Sequence, residues 1–257
     1  MAAFFVARTE QLANTASAVN AEPRPIFLTA EWRMLAMLNF EIEPTLLAPF
    51  VPAGTELDSW NGKTFVSLIG FRFLNTRALG VPIPFHRNFD EVNLRFYVRH
   101  KADEGWRRGV VFIREIVPRA AIAFIARKFY NEPYIALSMA HRLDANSAEY
   151  SWRFGGRNNS LKVVACGAAQ PLREDSEAEF ITEHYWGYTA QRDGGTIEYR
   201  VEHPRWRVWE ECEAKLDCDV AGLYGQQFVA ALRAEPSSAF LAEGSPVSVS
   251  KGVRLNA

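Results

Sequence analysis

The sequence predicts a mainly β protein of the α+β class: a single domain built on a curled, largely antiparallel β-barrel with a few short helices. Apolar residues occupy every even position from Ile26 to Ile42, which is the period of two expected for a strand. Short strand-like runs bounded by turn residues recur along the chain, whereas few segments show helical spacing. Many short strands with few helices between them favour a sheet that curls or closes on itself.

The individual elements follow from local patterns. Asn61-Gly62 predicts a hairpin over residues 55–74, whose second arm is apolar on both faces and therefore central in the sheet. Pro44 opens a short helical turn, and Ser176 can cap a helix that runs to about residue 186. Helical spacing also predicts a helix from Pro118 to about residue 128. Further strands are predicted at 89–101, 106–117, 134–143, 149–154, 161–166, 196–202 and 246–255.

Composition bounds the function. The 257 residues carry 29 Lys plus Arg and 30 Asp plus Glu, a net charge of −1, so nucleic acid is not an expected partner. No stretch of 18 uninterrupted apolar residues exists, and no membrane partner is expected. Three scattered cysteines without C-x-x-C spacing suit a reducing compartment, so we expect a cytoplasmic protein. Residues 1–24 are interpreted as a weakly ordered extension before one domain spanning 25–257.

Sequence motifs for metal or cofactor binding are missing. The five histidines show no i, i+2 or i, i+4 pair, so a metal site would need purely tertiary assembly. Neither of the glycine-rich phosphate-binding motifs occurs, and Gly155-Gly156 lies between two predicted strands with no helix after it. We therefore expect no metal and no cofactor.

The most informative feature is a polar face on the predicted strand 89–101. Alternation places Glu91, Asn93, Arg95 and Tyr97 in one row, with successive side chains about 6.6 to 7 Å apart. On one interpretation this face meets water, and its charges form cross-strand pairs worth less than about 1 kcal/mol each. On the other, the face lines a barrel interior, where burial would shift the pKa of Glu91 and Arg95 would bind an anionic group. The sequence leaves both open.

Several segments resemble one known family. They are W-R-M-L-A-M-L-N-F-E-I-E-P-T-L-L-A-P-F-V-P from Trp32, F-V-S-L-I-G-F-R-F from Phe65, F-D-E-V-N-L-R-F-Y-V-R from Phe89, and F-I-T-E-H-Y-W-G-Y-T with V-E-H-P-R-W-R-V-W near the C-terminus. They are similar, in this order, to the YqjF-like family of uncharacterised bacterial proteins (domain of unknown function 2071). That family is placed in the acetoacetate decarboxylase-like superfamily, so the resemblance implies a partly closed antiparallel barrel with a central cavity. It implies no reaction.

The resemblance also implies site residues, with one departure. Decarboxylases of the superfamily use a lysine that forms a Schiff base, in a segment resembling G-R-E-x-x-G-F-P-K-K, together with a glutamate and an early arginine. In the similar stretch here Tyr134 follows Pro133 where the lysine would stand, so Schiff-base decarboxylation at this position is not supported. Glu91 resembles the assisting glutamate, and Arg33 falls where the early arginine would be.

Two function classes remain after this comparison. In the first, a barrel cavity lined by Arg33, Glu91, Asn93, Arg95 and Tyr134 holds a small carboxylate or carbonyl compound. Glu91 and Tyr134 would then be catalytic groups of a cofactor-independent lyase, hydratase or isomerase, with Arg33, Asn93 and Arg95 binding the substrate. In the second, the protein is a non-catalytic binding or interaction module, and its C-terminal aromatics (Trp186, Tyr188, Trp206 and Trp209) form a partner surface rather than core. A homo-oligomer is compatible with either.

Overall fold

A computed structural model describes residues 24–83, 86–118 and 131–255. The strands are β1 Ile26–Ile42, β2 Glu56–Leu57, β3 Thr64–Ala78, β4 Val81–Pro82, β5 Phe89–Ala102, β6 Gly105–Val117, β7 Tyr134–Ala136, β8 Met139–Asp144, β9 Ser147–Phe154, β10 Arg157–Ala165, β11 Gln170–Pro171, β12 Trp186–Ala190, β13 Thr196–Glu202, β14 Arg207–Trp209, β15 Cys212–Asp217, β16 Ser238–Ser250 and β17 Val253–Arg254. The α-helices are α1 Pro44–Leu47, α2 Glu177–Thr182, α3 Val220–Tyr224 and α4 Val229–Arg233. Short 3-10 turns cover Ala48–Phe50 and Gln226–Phe228. All but one residue of the predicted N-terminal extension, and the helix predicted after Pro118, lie outside the described residues.

The larger sheet closes on itself into a ring of strands. Its order runs β16, β1, β3, β5, β6, β12 and β13, and β13 pairs again with β16. Most pairings are antiparallel, but β6 pairs in parallel with β7 and β12. The closing contact consists of Val201 opposite Val249 and Glu202 opposite Ser248. The mainly β prediction is thus confirmed. The barrel is confirmed only in part, as a ring of strands in which the β6–β12 and β13–β16 pairings are short.

A second, four-stranded sheet in the order β15, β10, β9, β8 packs on the outside of the strand ring. Its buried Tyr150 and Trp152 join Leu68 and Phe96 of the ring in one apolar core. Gly70 of β3 permits the close contact, since a Cβ there would lie 2.5 Å from Cδ2 of Tyr150. The outward faces of β3 and β5 are therefore buried, which explains why both strands are apolar on that side.

A second core lies inside the ring. It contains the opposite faces of the same strands, including Ile69 and Phe71 of β3 and Phe89 of β5. Phe180 of α2 packs into this inner core against Phe65, with ring centroids 5.9 Å apart. The strand ring thus has a packed outer face and a partly filled interior.

Strand β1 changes faces halfway along its length. Trp32 faces the interior, but the register against β3 gains one residue between Arg33 and Ala36, and Met34 has a positive φ of 55°. After this bulge Leu35 belongs to the inner core and Ala36 to the outer core. The strand prediction is confirmed, whereas the expectation that all even positions share one face is wrong, because the extra residue of a bulge reverses the alternation.

The predicted hairpin over residues 55–74 forms only its turn. Trp60 pairs with Lys63 across Asn61-Gly62, and both turn residues have positive φ. The first arm, Glu56–Leu57, pairs with β5 instead of β3. Both edges of β3 are already occupied by β1 and β5, so the second arm is central as predicted and has no free edge for its hairpin partner.

The helix predicted after Ser176 is confirmed with an earlier end. The Ser176 hydroxyl accepts a hydrogen bond from the Glu179 backbone N–H, and the helix stops at Thr182 because the chain continues into β12 at Trp186. In the described part of the chain, none of the helices has the length and apolar character needed to cross a membrane.

Candidate functional site

The strand ring encloses a cavity of about 260 Å³. Glu91, Asn93, Arg95 and Tyr134 all line it. The remaining lining residues come from β1, β3, β5, β6, β12, β13, β16, the end of α2 and the connecting segments. The structure therefore brings together four of the residues that the sequence singles out.

The row on β5 faces inward because its other face is apolar. Val92, Leu94 and Phe96 are fully buried beneath the outer sheet, which leaves the alternate positions for the cavity. Glu91 and Asn93 are each only 2% exposed. Of the two interpretations of this row, the one in which the polar face lines the interior agrees with the structure. Tyr97 continues the row, but its hydroxyl lies 2.6 Å from Ser67 Oγ in the inner core.

Glu91 is held by two neutral donors. Asn93 Nδ2 donates to Glu91 Oε1 at 2.9 Å, and the Tyr134 hydroxyl donates to Glu91 Oε2 at 3.1 Å. Burial raises the pKa of Glu91 to about 7, although both hydrogen bonds and the charge on Arg95 oppose the rise. Near neutral pH this carboxyl can therefore both accept and release a proton.

Two further buried carboxyls, which the sequence analysis did not single out, lie in the same cavity wall. Glu115 of β6 is opposite Asn93 in the register and is 2% exposed. Burial and the neighbouring Glu132 and Glu91 raise the pKa of Glu115 well above its usual value. Glu132 Oε1 accepts hydrogen bonds from Thr189 and from the Tyr199 hydroxyl. Burial raises the pKa of Glu132 to about 7.

Tyr134 stands between two of these acids. Its backbone is opposite Glu115 in the parallel β6–β7 pair, and its hydroxyl bonds to Glu91. Burial, together with the charges of Glu115 and Glu91, raises the pKa of the Tyr134 phenol well above its usual value. This tyrosine therefore stays protonated and acts as a hydrogen-bond donor.

Arg95 is the cation of the cavity wall. One Nη donates to the Ile181 carbonyl at 3.1 Å, while its buried Nε has no hydrogen-bond partner. Among the described residues Arg95 takes part in none of the ion pairs with Asp or Glu. A guanidinium with unused donors beside a cavity is suited to an anionic group.

Arg33, predicted to bind substrate, lies outside the cavity wall. Its guanidinium pairs with Glu31 at 2.6 Å and donates to the Gly244 carbonyl at 3.3 Å. Its neighbour Trp32 lines the cavity, and adjacent residues of a strand point to opposite faces. The side chain of Arg33 is consequently turned outward and is 37% exposed.

The C-terminal aromatic residues are mostly core. Trp186, Tyr188 and Trp206 are less than 9% exposed, and Trp209 packs partly buried against the outer core. Of the two alternatives, core and partner surface, the structure shows core for the first three, and an exposed aromatic surface loses its basis.

The wall contains no amine in the described part of the chain. Its described lining residues include no lysine, and Tyr134 occupies the position after Pro133. Lys128, the lysine nearest to Tyr134 in the sequence, lies outside the described residues. Within the described ranges, no three His, Cys, Asp or Glu side chains are arranged to hold a metal ion.

Comparison with known proteins places this fold. The family model of domain of unknown function 2071, described as an uncharacterized conserved protein, matches residues 29–246. The uncharacterized protein YqjF of Bacillus subtilis (strain 168) is 28% identical over 180 residues, which cover 67% of this chain and 72% of YqjF.

Solved structures show the same architecture at low identity. Acetoacetate decarboxylase from Legionella pneumophila superposes with a TM-score of 0.60 at 14% identity, covering 91% of this chain and 88% of that one. The enduracididine biosynthesis enzyme MppR complexed with pyruvate superposes with a TM-score of 0.62 at 11% identity, covering 92% and 93%. The fold is thus acetoacetate decarboxylase-like.

Proposed function

The chain belongs to the family of domain of unknown function 2071, and from that premise we propose that it holds a small organic carboxylate or carbonyl compound in the cavity of the strand ring. Arg95 binds the carboxylate, Asn93 orients the ligand, Glu91 exchanges a proton with it, and Tyr134 donates a hydrogen bond to it. The reaction class that suits these groups is a cofactor-independent lyase, hydratase or isomerase.

One observation carries the proposal. Along one face of β5, a carboxyl with a pKa of about 7 is followed four residues later by a guanidinium that has no carboxylate partner among the described ion pairs. A carboxyl that titrates near neutrality suits general acid–base chemistry, and an unused guanidinium suits an anion. The structural relative MppR, which was solved with pyruvate, supports a small keto acid as the kind of ligand.

The proton transfer can be written from these groups alone. Ionised Glu91 takes a proton from the carbon next to the ligand carbonyl, and the electrons of the broken C–H bond form an enolate. The Tyr134 hydroxyl, which remains protonated, donates a hydrogen bond to the enolate oxygen. In a ligand with a carbon–carbon double bond next to that carbon, the enolate is conjugated, and return of the proton from Glu91 to the far end of the conjugated system gives an isomerase. In a ligand with a hydroxyl on the next carbon, Glu91 gives the same proton to the departing hydroxyl, which leaves as water, and the reaction is a dehydration.

The binding-module alternative is less well supported by the same geometry. It needs exposed tryptophans and a solvent-facing Glu91, whereas Trp186, Trp206 and Glu91 are all buried. We also propose a cytoplasmic setting, because Cys166, Cys212 and Cys218 are free thiols.

The test begins with a thermal-shift screen of small keto, hydroxy and unsaturated acids, since a ligand at 100 times its dissociation constant adds about 2.7 kcal/mol to stability. Each acid that shifts the melting temperature is then incubated in D₂O, and exchange of its α-protons is followed by proton NMR. We expect exchange with the wild type and with Arg33→Gln, whose side chain points away from the cavity, and much slower exchange with Glu91→Gln. Absence of any stabilising acid, or equal exchange by Glu91→Gln, would overturn the proposal.

A further inference from the structure

The cavity has a second region that the acid–base groups do not use. Five aromatic side chains, here called the aromatic wall, line it together with the polar row: Trp32, Phe71, Phe73, Phe89 and Trp206. Trp32 lies edge-on to Phe71 and Phe73, with ring centroids 5.3 and 5.8 Å apart. Phe73 and Phe89 stack at 4.6 Å. These rings form one connected surface.

The aromatic wall begins next to the acid. Phe71 is opposite Glu91 in the β3–β5 register, and Phe73 is opposite Phe89, which places each pair about 4.5 to 5.5 Å apart at Cα. Phe89 and Glu91 are also neighbours on the same face of β5. Along this strand the cavity therefore presents a ring, a carboxyl, an amide and a guanidinium in sequence.

The imidazole beside this wall carries no charge at neutral pH. His203 stacks on Trp206 at 4.1 Å, and burial lowers the pKa of His203 to about 4. The charge of Arg95 contributes to the lowered pKa of His203. The wall itself offers flat, neutral rings, and such surfaces prefer other rings in stacked or edge-on contact.

The volume also exceeds the needs of a short keto acid. A single water needs roughly 10–15 Å³ of cavity volume, so 260 Å³ has room for a ligand much larger than pyruvate. An occupant that filled only the polar region would leave the cavity side of these rings without packed partner atoms, and the dispersion contacts with a ligand on that side would be lost.

Resting on the proposed function, we propose that the ligand is a carboxylic acid with an aromatic or similarly flat, unsaturated ring close to its reactive carbon. The carboxylate lies on Arg95, the reactive carbon lies at Glu91 and Tyr134, and the ring stacks within the aromatic wall near Phe89 and Phe73. Short aliphatic keto acids then bind weakly, because they make only the polar half of these contacts.

The test uses three probes that separate the ring from the carboxylate. Phenylpyruvate has both, pyruvate has the keto acid without the ring, and 1-phenyl-2-propanone has the ring and ketone without the carboxylate. Dissociation constants are measured by calorimetry for the wild type, Phe89→Leu and Phe96→Leu. Phe96 is the matched control, since it lies on the same strand but in the outer core.

We expect phenylpyruvate to bind the wild type about tenfold more tightly than pyruvate, or more. Phe89→Leu should raise the dissociation constant of phenylpyruvate about fivefold or more while changing that of pyruvate less than about twofold. Phe96→Leu should change neither dissociation constant by more than about twofold. Equal binding of phenylpyruvate and pyruvate would overturn this inference and leave the proposed function standing. Equal binding of 1-phenyl-2-propanone and phenylpyruvate would overturn the carboxylate contact of the proposed function instead. Failure of all three probes to bind would overturn both.

Discussion

The Tyr134 hydroxyl donates a hydrogen bond to Glu91 Oε2 across the cavity wall at 3.1 Å. In the resemblance drawn from the sequence, Tyr134 falls where decarboxylases of the superfamily have a Schiff-base lysine. Its phenol stays protonated, so it offers Glu91 a hydrogen bond and no amine. This hydrogen bond lowers the pKa of Glu91, but burial has the larger effect and raises that pKa to about 7. In the proposed function Glu91 transfers the proton and Tyr134 donates the hydrogen bond.

The first prediction concerns the missing amine. Incubation with acetoacetate and borohydride should leave the intact mass unchanged, because an imine needs an amine of lowered pKa and no lysine is among the described lining residues. An imine-forming acetoacetate decarboxylase treated in parallel shows that trapping works. A stable adduct mapped to Lys128, outside the described residues, would contradict the prediction and the assignment of Tyr134 to that position.

The second prediction concerns pH and stability. A carboxyl whose pKa is raised in the folded state binds its proton more tightly there than in the unfolded chain. Its contribution to the free energy of unfolding is therefore greatest below the unfolded pKa of about 4.5 and is lost as pH rises toward about 7. Glu91→Gln removes this loss, so relative to the wild type the variant should gain stability between pH 5 and pH 8, by up to a few kcal/mol.

Urea melts at these two pH values measure that effect. Glu41→Gln is the control, because Glu41 is 52% exposed and pairs with Lys63 on the surface, so its difference from the wild type should stay nearly constant over the same range. If the stability of Glu91→Gln relative to the wild type falls between pH 5 and pH 8, the carboxylate of Glu91 is stabilising in the folded state and the prediction is wrong.

The third prediction tests which face of β5 is packed. Phe96 is fully buried in the outer core, so Phe96→Ala should lower the free energy of unfolding by about 3 to 5 kcal/mol. Arg99→Ala, on the same strand with a 39% exposed side chain, should cost less than about 1 kcal/mol. Similar losses for the two variants would show that the faces are assigned wrongly.

The fourth prediction concerns the joint between the two sheets. Gly70→Ala should be destabilising, because the added Cβ would lie 2.5 Å from the Tyr150 ring, and overpacking typically costs about 1 to 3 kcal/mol. Combined with Tyr150→Leu, the same change should cost less than it does alone, since the two residues are in contact. Strict additivity in denaturant melts of the single and double variants would show that this contact does not decide the sheet packing.

Local patterns in the sequence predict the strands well. Alternation also predicts the polar row on β5, but it leaves open whether that row faces water or the interior. The positions that they miss depend on pairings that a single chain cannot reveal. Glu115 joins the site only because β6 pairs with β5 so that it lies opposite Asn93. Arg33 was placed at the site by the family resemblance alone, whereas in the structure its neighbour Trp32 takes the inward position on β1.

The pairing of β2 shows the same limit. The Asn61-Gly62 turn is a local signal and forms, but whether its arms pair depends on which edges of β3 are already taken. The cavity itself is a property of ring closure between β13 and β16, in which Val201 pairs with Val249, a residue more than forty positions later in the sequence. Only the resemblance to a known family indicated it in advance.

The central claim is that Arg95 holds the carboxylate of a ligand inside the strand ring. Calorimetric titration of phenylpyruvate into the wild type, Arg95→Gln and Arg33→Gln tests it most directly, because the two arginines are predicted by sequence alike and separated only by the structure. Loss of hydrogen bonds to a charged group costs about 1.5 to 3 kcal/mol, so Arg95→Gln should weaken binding by about tenfold to a hundredfold. Arg33→Gln should leave the dissociation constant within about twofold, as expected for a surface charge. Equal affinities of Arg95→Gln and the wild type, or a larger loss with Arg33→Gln, would contradict the account.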